Sequence, residues 1–366
     1  MVICRTPFRI SFFGGGTDYP AWYQKHGGAV VATTIDKYCY LTCRYLPPFF
    51  GNKIRVVYSK IEDCQTIDEI EHPAVRAVLR YLKFNRGVEI HHEGDLPART
   101  GMGTSSAFTV GLLHALYALK GYMPSKQQLA RESIHLEQEI LRETVGSQDQ
   151  ILAACGGFNH IVFQPNGTFS VRPITLGPER MQELNSHLML FYTGIQRTAS
   201  AVAESYVNDI EGKRRQLRIM KDLIEESISI LNKGEDIKGF GELLHESWQA
   251  KRSLSDQVSS PYVDALYDQA ISAGAIGGKL TGAGGGGFLL LFVPPAKQEK
   301  VKRVVNHLIH VPFKFEFSGS QIIFFDLEQD YSLEAKERAG QATSPFSESH
   351  LPVTMTGSHA TRPSNL

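Results

Sequence analysis

The sequence predicts an α+β chain of two domains that share a cleft, and three observations carry that expectation. Its 366 residues exceed the length of one ordinary domain, which runs to roughly 100–200 residues. Strand signals crowd the amino-terminal half, whereas helical periods dominate much of the second half. Glycine clusters stand at 14–16, 101–103 and 282–287, and such runs let the backbone approach other groups closely, as at the wall of a ligand cleft.

The elements follow in order. Phe8-Arg9-Ile10-Ser11-Phe12 alternates as a half-buried strand, so Arg9 and Ser11 lie opposite the three hydrophobes. After the turn signalled by Gly14-Gly15-Gly16, strands are expected at 29–35, 38–45 and 53–58, the last preceded by a Gly51-Asn52 turn. Helical spacing marks 75–82, 105–119 and 125–142. Residues 158–163 and 168–171 flank Pro165-Asn166-Gly167 as a hairpin. An apolar strand at 188–192 precedes one long helix with Ile210, Leu217, Met220, Ile224, Ile228 and Leu231 on one face. Helices at about 236–250 and 261–273, a strand at 288–293, a helix near 296–308 and a strand at 321–325 complete the folded part. From about Ala342 the chain turns Ser/Thr/Pro-rich without periodicity, and disorder is expected.

Composition narrows the function classes. Lys and Arg number 38 against 38 Asp and Glu, so the basic surplus of a nucleic-acid binder is missing. With 42% hydrophobic and 21% charged residues the chain reads as globular. Its best apolar run, 288–293, stops at Pro294-Pro295, far short of the roughly 20 residues of a membrane span. The first residues lack the charged and apolar regions of a signal peptide, which makes the cytoplasm the expected compartment. Five cysteines without a CxxC pair read as small buried side chains rather than metal ligands.

The most informative stretch is Pro97-Ala98-Arg99-Thr100-Gly101-Met102-Gly103-Thr104-Ser105-Ser106-Ala107. A glycine-rich loop that opens a helix aims free N–H groups and the positive end of the helix dipole at one spot, which suits phosphate. A serine-capped helix with a flexible loop before it is the plainer alternative. Two further motifs decide between them. Arg5-Thr-Pro-Phe-Arg9 runs into Gly15-Gly16-Thr17-Asp18-Tyr19, and Lys279-Leu-Thr-Gly-Ala-Gly-Gly-Gly-Gly287 closes the series. In that order the three motifs resemble those of the kinases grouped as galactokinase, homoserine kinase, mevalonate kinase and phosphomevalonate kinase, the GHMP kinases, over residues 1 to about 335.

The resemblance implies a fold: an N-terminal, β-rich domain like the second domain of ribosomal protein S5 over 1–180, and a C-terminal, ferredoxin-like α/β sandwich over 181–335. The active site would lie in the cleft between them, with 336–366 a disordered tail. It implies ATP and Mg²⁺ as cofactors and a small-molecule sugar phosphate as substrate, and it leaves a homodimer open. The glycine triplet and Gly146-Ser-Gln-Asp-Gln150 most resemble the bacterial branch that phosphorylates D-glycero-D-manno-heptose 7-phosphate at the anomeric hydroxyl, for surface glycan precursors. Kinases of fucose-type and other long sugars share the triplet. A non-catalytic sugar sensor is a third reading, but such relatives would be expected to lack the residues that do the chemistry.

Carried onto this sequence, Asp149 matches the catalytic aspartate and Arg9 the basic partner of that aspartate and of the transferring phosphate. The nucleotide cradle is Pro97, Arg99, Gly101, Met102, Gly103, Thr104, Ser105 and Ser106, joined by Gly284 and Gly285 of the third motif. Ser106 and Glu137 match the metal ligands, with Glu139 the alternative because the spacing varies within the family. Gly16, Thr17, Asp18 and Asp36 would meet the sugar. Holding its phosphate also needs cations from the second domain, and Arg197, Lys251 and Arg252 are placed there by position alone.

Overall fold

The computed structural model describes residues 1–47, 53–197, 199–234 and 236–327, together with Leu333. The expected Gly51-Asn52 turn and the tail from Ala342 lie outside the described residues. The amino-terminal part runs β1 (Val2–Phe13), α1 (Pro20–His26), β2 (Gly28–Tyr45), β3 (Ile54–Val57), β4 (Ile61–Cys64), α2 (Pro73–Tyr81) and β5 (Val88–Gly94). It continues with α3 (Thr104–Leu119), α4 (Lys126–His135), α5 (Gln148–Cys155), β6 (Phe158–Phe163) and β7 (Phe169–Pro173). The second part comprises α6 (Pro178–His187), β8 (Leu188–Tyr192), α7 (Ala199–Val207), α8 (Arg214–Asn232), α9 (Lys238–Arg252) and α10 (Pro261–Ala273). It ends with β9 (Gly277–Leu280), β10 (Phe288–Phe292), α11 (Gln298–Val304) and β11 (Ile309–His310), after which come β12 (Phe315–Glu316) and β13 (Gln321–Phe325).

Among the described residues the strands form two sheets. The first has the order β13-β1-β2-β5-β3-β4, with β6 on the free stretch of β2, β7 on β6 and β12 on β2. The second has the antiparallel order β11-β8-β10-β9. The last two strands thus return to the first sheet, within the span expected for the second domain. There the Ser320 hydroxyl lies 2.9 Å from both Thr6 Oγ1 and His114 Nδ1 and ties β13 to β1 and α3. Burial pushes the His114 imidazole down to about 4, so it stays neutral in that contact.

Three departures from the expected elements have physical reasons. The two strands expected at 29–35 and 38–45 are one 18-residue strand, β2. The polar step at Asp36 stays extended because its N–H donates to Lys314 O at 2.9 Å and its carboxylate accepts the Lys314 N–H at 2.8 Å. The helix expected over 125–142 is α-helical only to His135 and then winds as one π turn, Leu136–Ile140, in which Leu141 N–H donates to Leu136 O at 2.8 Å. The helix expected to include Ile210 begins instead at Arg214, after turn bonds such as Ile210 N–H to Val207 O at 3.3 Å.

Two cores lie on either side of the second sheet. In β10, Phe288, Leu290 and Phe292 join the core shared with the first sheet, while Leu289 and Leu291 join the core under α10. A strand buried on both faces reads as an unbroken apolar run, as Phe-Leu-Leu-Leu-Phe does. Phe12 and Phe13, at the end of β1, meet Phe240 of α9 edge-on at 5.5 and 5.1 Å between ring centres, which locks the domains together at the base of the cleft. Cys4, Cys39, Cys43 and Cys64 are buried and Cys155 is half-buried. No helix among the described residues is long and apolar enough to cross a membrane.

Candidate active site

The first strand delivers the central cation. Arg9 is 5% exposed, and its backbone N–H donates to Met102 O at 3.0 Å, which fastens the glycine-rich loop to β1. Its guanidinium grips Asp149 with both forks, Nε to Oδ1 and Nη2 to Oδ2, each at 2.7 Å, and Nη1 reaches Gly101 O at 2.6 Å. A bidentate ion pair of this kind fixes the carboxylate in plane. The Asp149 side chain remains 24% exposed, so the pair has one open side.

Asp149 stands in the first turn of α5, and Asp18 holds that turn. The Asp18 carboxylate accepts Gly16 N–H at 2.9 Å and the Gln148 side-chain amide at 2.9 Å, while its carbonyl accepts Ser147 N–H at 2.9 Å. Burial raises the Asp18 carboxyl above its ordinary range and the charge of Asp149 adds to it, against the pull of Gly16 N–H. Gly146 is the point of closest approach: a Cβ there would lie 1.9 Å from Asp18 Oδ2.

Above the pair, α3 begins without a side-chain cap at Gly103, a helix start of the kind whose first N–H groups and dipole suit an anion. The third-motif loop closes over this helix start. A Cβ on Gly282 would lie 2.5 Å from Gly101 Cα, and Thr281 Oγ1 is 3.5 Å from Thr100 O. Two glycine loops from different domains therefore touch directly, which side chains would prevent.

The donor set for a cation lies behind the loop. Ser106 Oγ donates to Glu137 Oε2 at 2.8 Å and Gln150 Nε2 donates to the same oxygen at 2.5 Å, while Glu137 Oε1 is buried and accepts no hydrogen bond. Burial pushes the Glu137 carboxyl up to about 7, against the bonds from Ser106 and Gln150 and the nearby Thr109 hydroxyl. An orphaned carboxylate oxygen beside a serine hydroxyl fits a hard divalent cation. Among the described residues no three His, Cys, Asp or Glu side chains converge as ligands, so nucleotide oxygens and water would complete its shell. Burial separates the alternatives: Glu137 points inward at 1% exposure and Glu139 is exposed.

Not every expected residue reaches the cleft. Thr17 is fully buried, its hydroxyl 2.8 Å from the carbonyls of both Gly14 and Ala29, and it shapes the loop rather than facing a ligand. Asp36 is held by Lys37 and the Lys314 backbone. Arg252 donates to Asp264 at 2.9 Å. Met102 is buried and can offer only its backbone, whereas Pro97 and Arg99 are exposed on the loop and Ser105 in the first turn of α3, with Thr104 Oγ1 accepting Arg99 N–H at 3.3 Å. Arg197 lies against Gly285, its Cδ 3.2 Å from where a Cβ would stand, and Gly284 packs on Val258 O. Lys251 is 4% exposed and donates to Gly282 O. Position did not single out Gln148, Gln150 or Lys279; Lys279 opens the third motif, which was the available signal.

Known proteins resemble this chain in sequence and fold. The sequence signature described as GHMP kinases N terminal domain covers residues 70–157, and that described as GHMP kinases C terminal covers 213–310, together half of the chain. D-glycero-alpha-D-manno-heptose 7-phosphate kinase of Campylobacter jejuni is 28% identical over 316 residues, 80% of this chain and 90% of that protein. L-fucokinase/L-fucose-1-P guanylyltransferase of Bacteroides fragilis is 26% identical over 342 residues, 82% of this chain; the chain spans only 36% of that longer protein. The crystal structure of a D-glycero-D-manno-heptose 1-phosphate kinase from Bacteroides thetaiotaomicron shares the fold at a TM-score of 0.73 and 24% identity, covering 89% of this chain and 100% of that one.

Proposed function

This chain belongs to the GHMP kinases, and on that premise we propose that it transfers the terminal phosphoryl group of ATP to the anomeric C1 hydroxyl of D-glycero-D-manno-heptose 7-phosphate. The observation that carries the chemistry is the Arg9–Asp149 pair clamped to the Gly101 carbonyl, because it sets a carboxylate base beside the phosphate seat. The C1 oxygen attacks the γ-phosphorus, the bond from that phosphorus to the β,γ-bridging oxygen breaks, and ADP leaves. Asp149 takes the hydroxyl proton on its open side. Arg9 holds Asp149 in line, and the uncapped start of α3 binds the nucleotide phosphates. Ser106 and Glu137 would hold Mg²⁺, which would supply charge neutralisation at the phosphates. The product, a 1,7-bisphosphate, would feed nucleotide-activated heptose for surface glycans.

The substrate reading is supported by similarity to the Campylobacter jejuni kinase along 90% of that protein. A free fucose-type sugar is the second reading, favoured by the match to the L-fucokinase. Asp149, Glu137 and both loop serines are all present, which argues against a non-catalytic sensor. Phosphorus NMR on a panel of sugars with ATP separates the readings. Heptose 7-phosphate is expected to be used far better than free heptose, galactose, L-fucose or mevalonate, since binding energy from the remote phosphate aligns the reacting hydroxyl. Arg197→Gln is expected to erase most of that preference, about 2 kcal/mol for a charge-assisted contact. Equal rates with and without the 7-phosphate would remove the heptose phosphate assignment and leave the kinase standing.

The metal ligands have their own test. Ser106→Ala and Glu137→Gln should each raise the free Mg²⁺ needed for half-maximal rate by about tenfold, since each removes an oxygen ligand or its charge. Glu139→Gln should titrate as the wild type; a shift confined to Glu139→Gln would mean that the exposed carboxylate is the ligand.

A further inference from the structure

Two lysines unused by that mechanism are buried where the domains meet. Lys251 is 4% exposed and Lys279 is 1% exposed. Lys251 Nζ donates to Gly282 O, and Lys279 Nζ donates to Phe12 O at 2.8 Å. Among the described residues neither has a carboxylate within ion-pair distance. An ammonium group sealed from water against a carbonyl alone is costly unless an anion joins it.

The surroundings show what kind of anion is missing. Arg9, Asp18 and Asp149 all act on the charge of Lys251, and Lys251, Arg9 and Asp18 act on that of Lys279. Arg9 is already neutralised by Asp149. Three basic side chains thus meet two carboxyl groups, of which Asp149 is already taken by Arg9. Burial first, then Arg9, pushes the Lys251 ammonium down to about 8, and burial, then Lys251, pushes the Lys279 ammonium well below its ordinary value. The Gly282 carbonyl that Lys251 holds belongs to the residue that touches Gly101 of the phosphate loop. A phosphate at C7 would lie at the far end of the sugar from Asp149, whereas the group between nucleotide and C1 hydroxyl is the one in transfer.

We propose that Lys251 binds the γ-phosphoryl group as it moves from nucleotide to sugar, with Lys279 as a positioning residue that anchors the end of β1 and completes the cationic surround. The proposal rests on the kinase reading and goes beyond it by moving Lys251 from the distal phosphate of the substrate to the reacting one.

ADP and AMP-PNP, which differ by the γ-phosphoryl group, serve as probes in calorimetry with Mg²⁺. Lys251→Met keeps the apolar stem and removes the charge. It should weaken AMP-PNP at least about tenfold while ADP changes less than about twofold, and kcat should fall about a hundredfold at nearly constant KM for the sugar. Lys279→Met should narrow the same AMP-PNP-to-ADP difference, and Lys251→Arg should restore part of it. Equal weakening of both nucleotides, no weakening of either, or a loss confined to binding of the sugar phosphate would each overturn the proposal. The wild type gives a second reading that needs no variant. At pH 8, AMP-PNP should take up more protons than ADP, measured in two buffers of different ionisation heat, because an added phosphoryl favours the charged lysine; equal uptake counts against it. Wild type that phosphorylates no sugar defeats the kinase reading, while the nucleotide comparison still decides the anion site.

Discussion

Asp149→Asn is expected to lower kcat by about 10²–10⁴, the range for loss of a general base. The change keeps the shape of the side chain but turns one acceptor of the Arg9 fork into a donor, so the clamp that now spans Nε and Nη2 at 2.7 Å opens on one side. ADP affinity should hardly change, because the phosphate seat is built from loop and helix backbone. Stopped assays of phosphorylated sugar, run beside ADP calorimetry, check both halves. A variant that keeps most of its turnover would show that Asp149 merely starts α5.

Gly146→Ala should be nearly as damaging although Gly146 bears no functional group. Its Cβ would stand 1.9 Å from Asp18 Oδ2 and 2.6 Å from Asp18 Cγ. Asp18 cannot retreat freely, since Gly16 and Gln148 hold its carboxylate, so the backbone leading into Ser147 and Asp149 must move. A displacement of about 1 Å at a reacting group costs about 10²-fold in rate, and overpacking costs about 1–3 kcal/mol of stability. Kinetics and denaturant melts of Gly146→Ala should show both losses. Gly177→Ala, whose nearest neighbour would be 3.6 Å away, should match the wild type; unimpaired turnover in Gly146→Ala would show that this turn tolerates displacement.

The glycine loops and the helix opened by Thr104 were legible because local chemistry dictates them. Long-range pairing was not. Arg9 and Asp149 stand 140 residues apart, and no periodicity links them; only the resemblance put them in one site. Adjacent residues on α9 illustrate a second limit. Successive helical side chains point about 100° apart, so Lys251 turns into the cleft and Arg252 turns to Asp264. Position in the chain cannot choose between them. Glu137 and Glu139 show a third, because spacing left both open and only the folded helix shows which carboxylate meets Ser106. Thr17 meets backbone carbonyls and Asp36 meets Lys37 and the Lys314 backbone, a use of polar groups that composition does not distinguish from ligand binding.

The return of β13 to the first sheet has a consequence for how the protein is made. Val2 pairs with Phe325 and Arg5 with Gln321, so the outer edge of β1 waits through nearly the whole of translation for its neighbour. At the roughly 5–20 residues added per second during synthesis, that wait is roughly 15–60 s. Throughout it, the nascent chain carries an uncovered strand edge beside an apolar core, the feature that invites pairing with another chain. A ribosome stalled before residue 321 therefore holds a domain that has its helices, its glycine loop and its Arg9–Asp149 pair, yet lacks the strand that would close it to its neighbours.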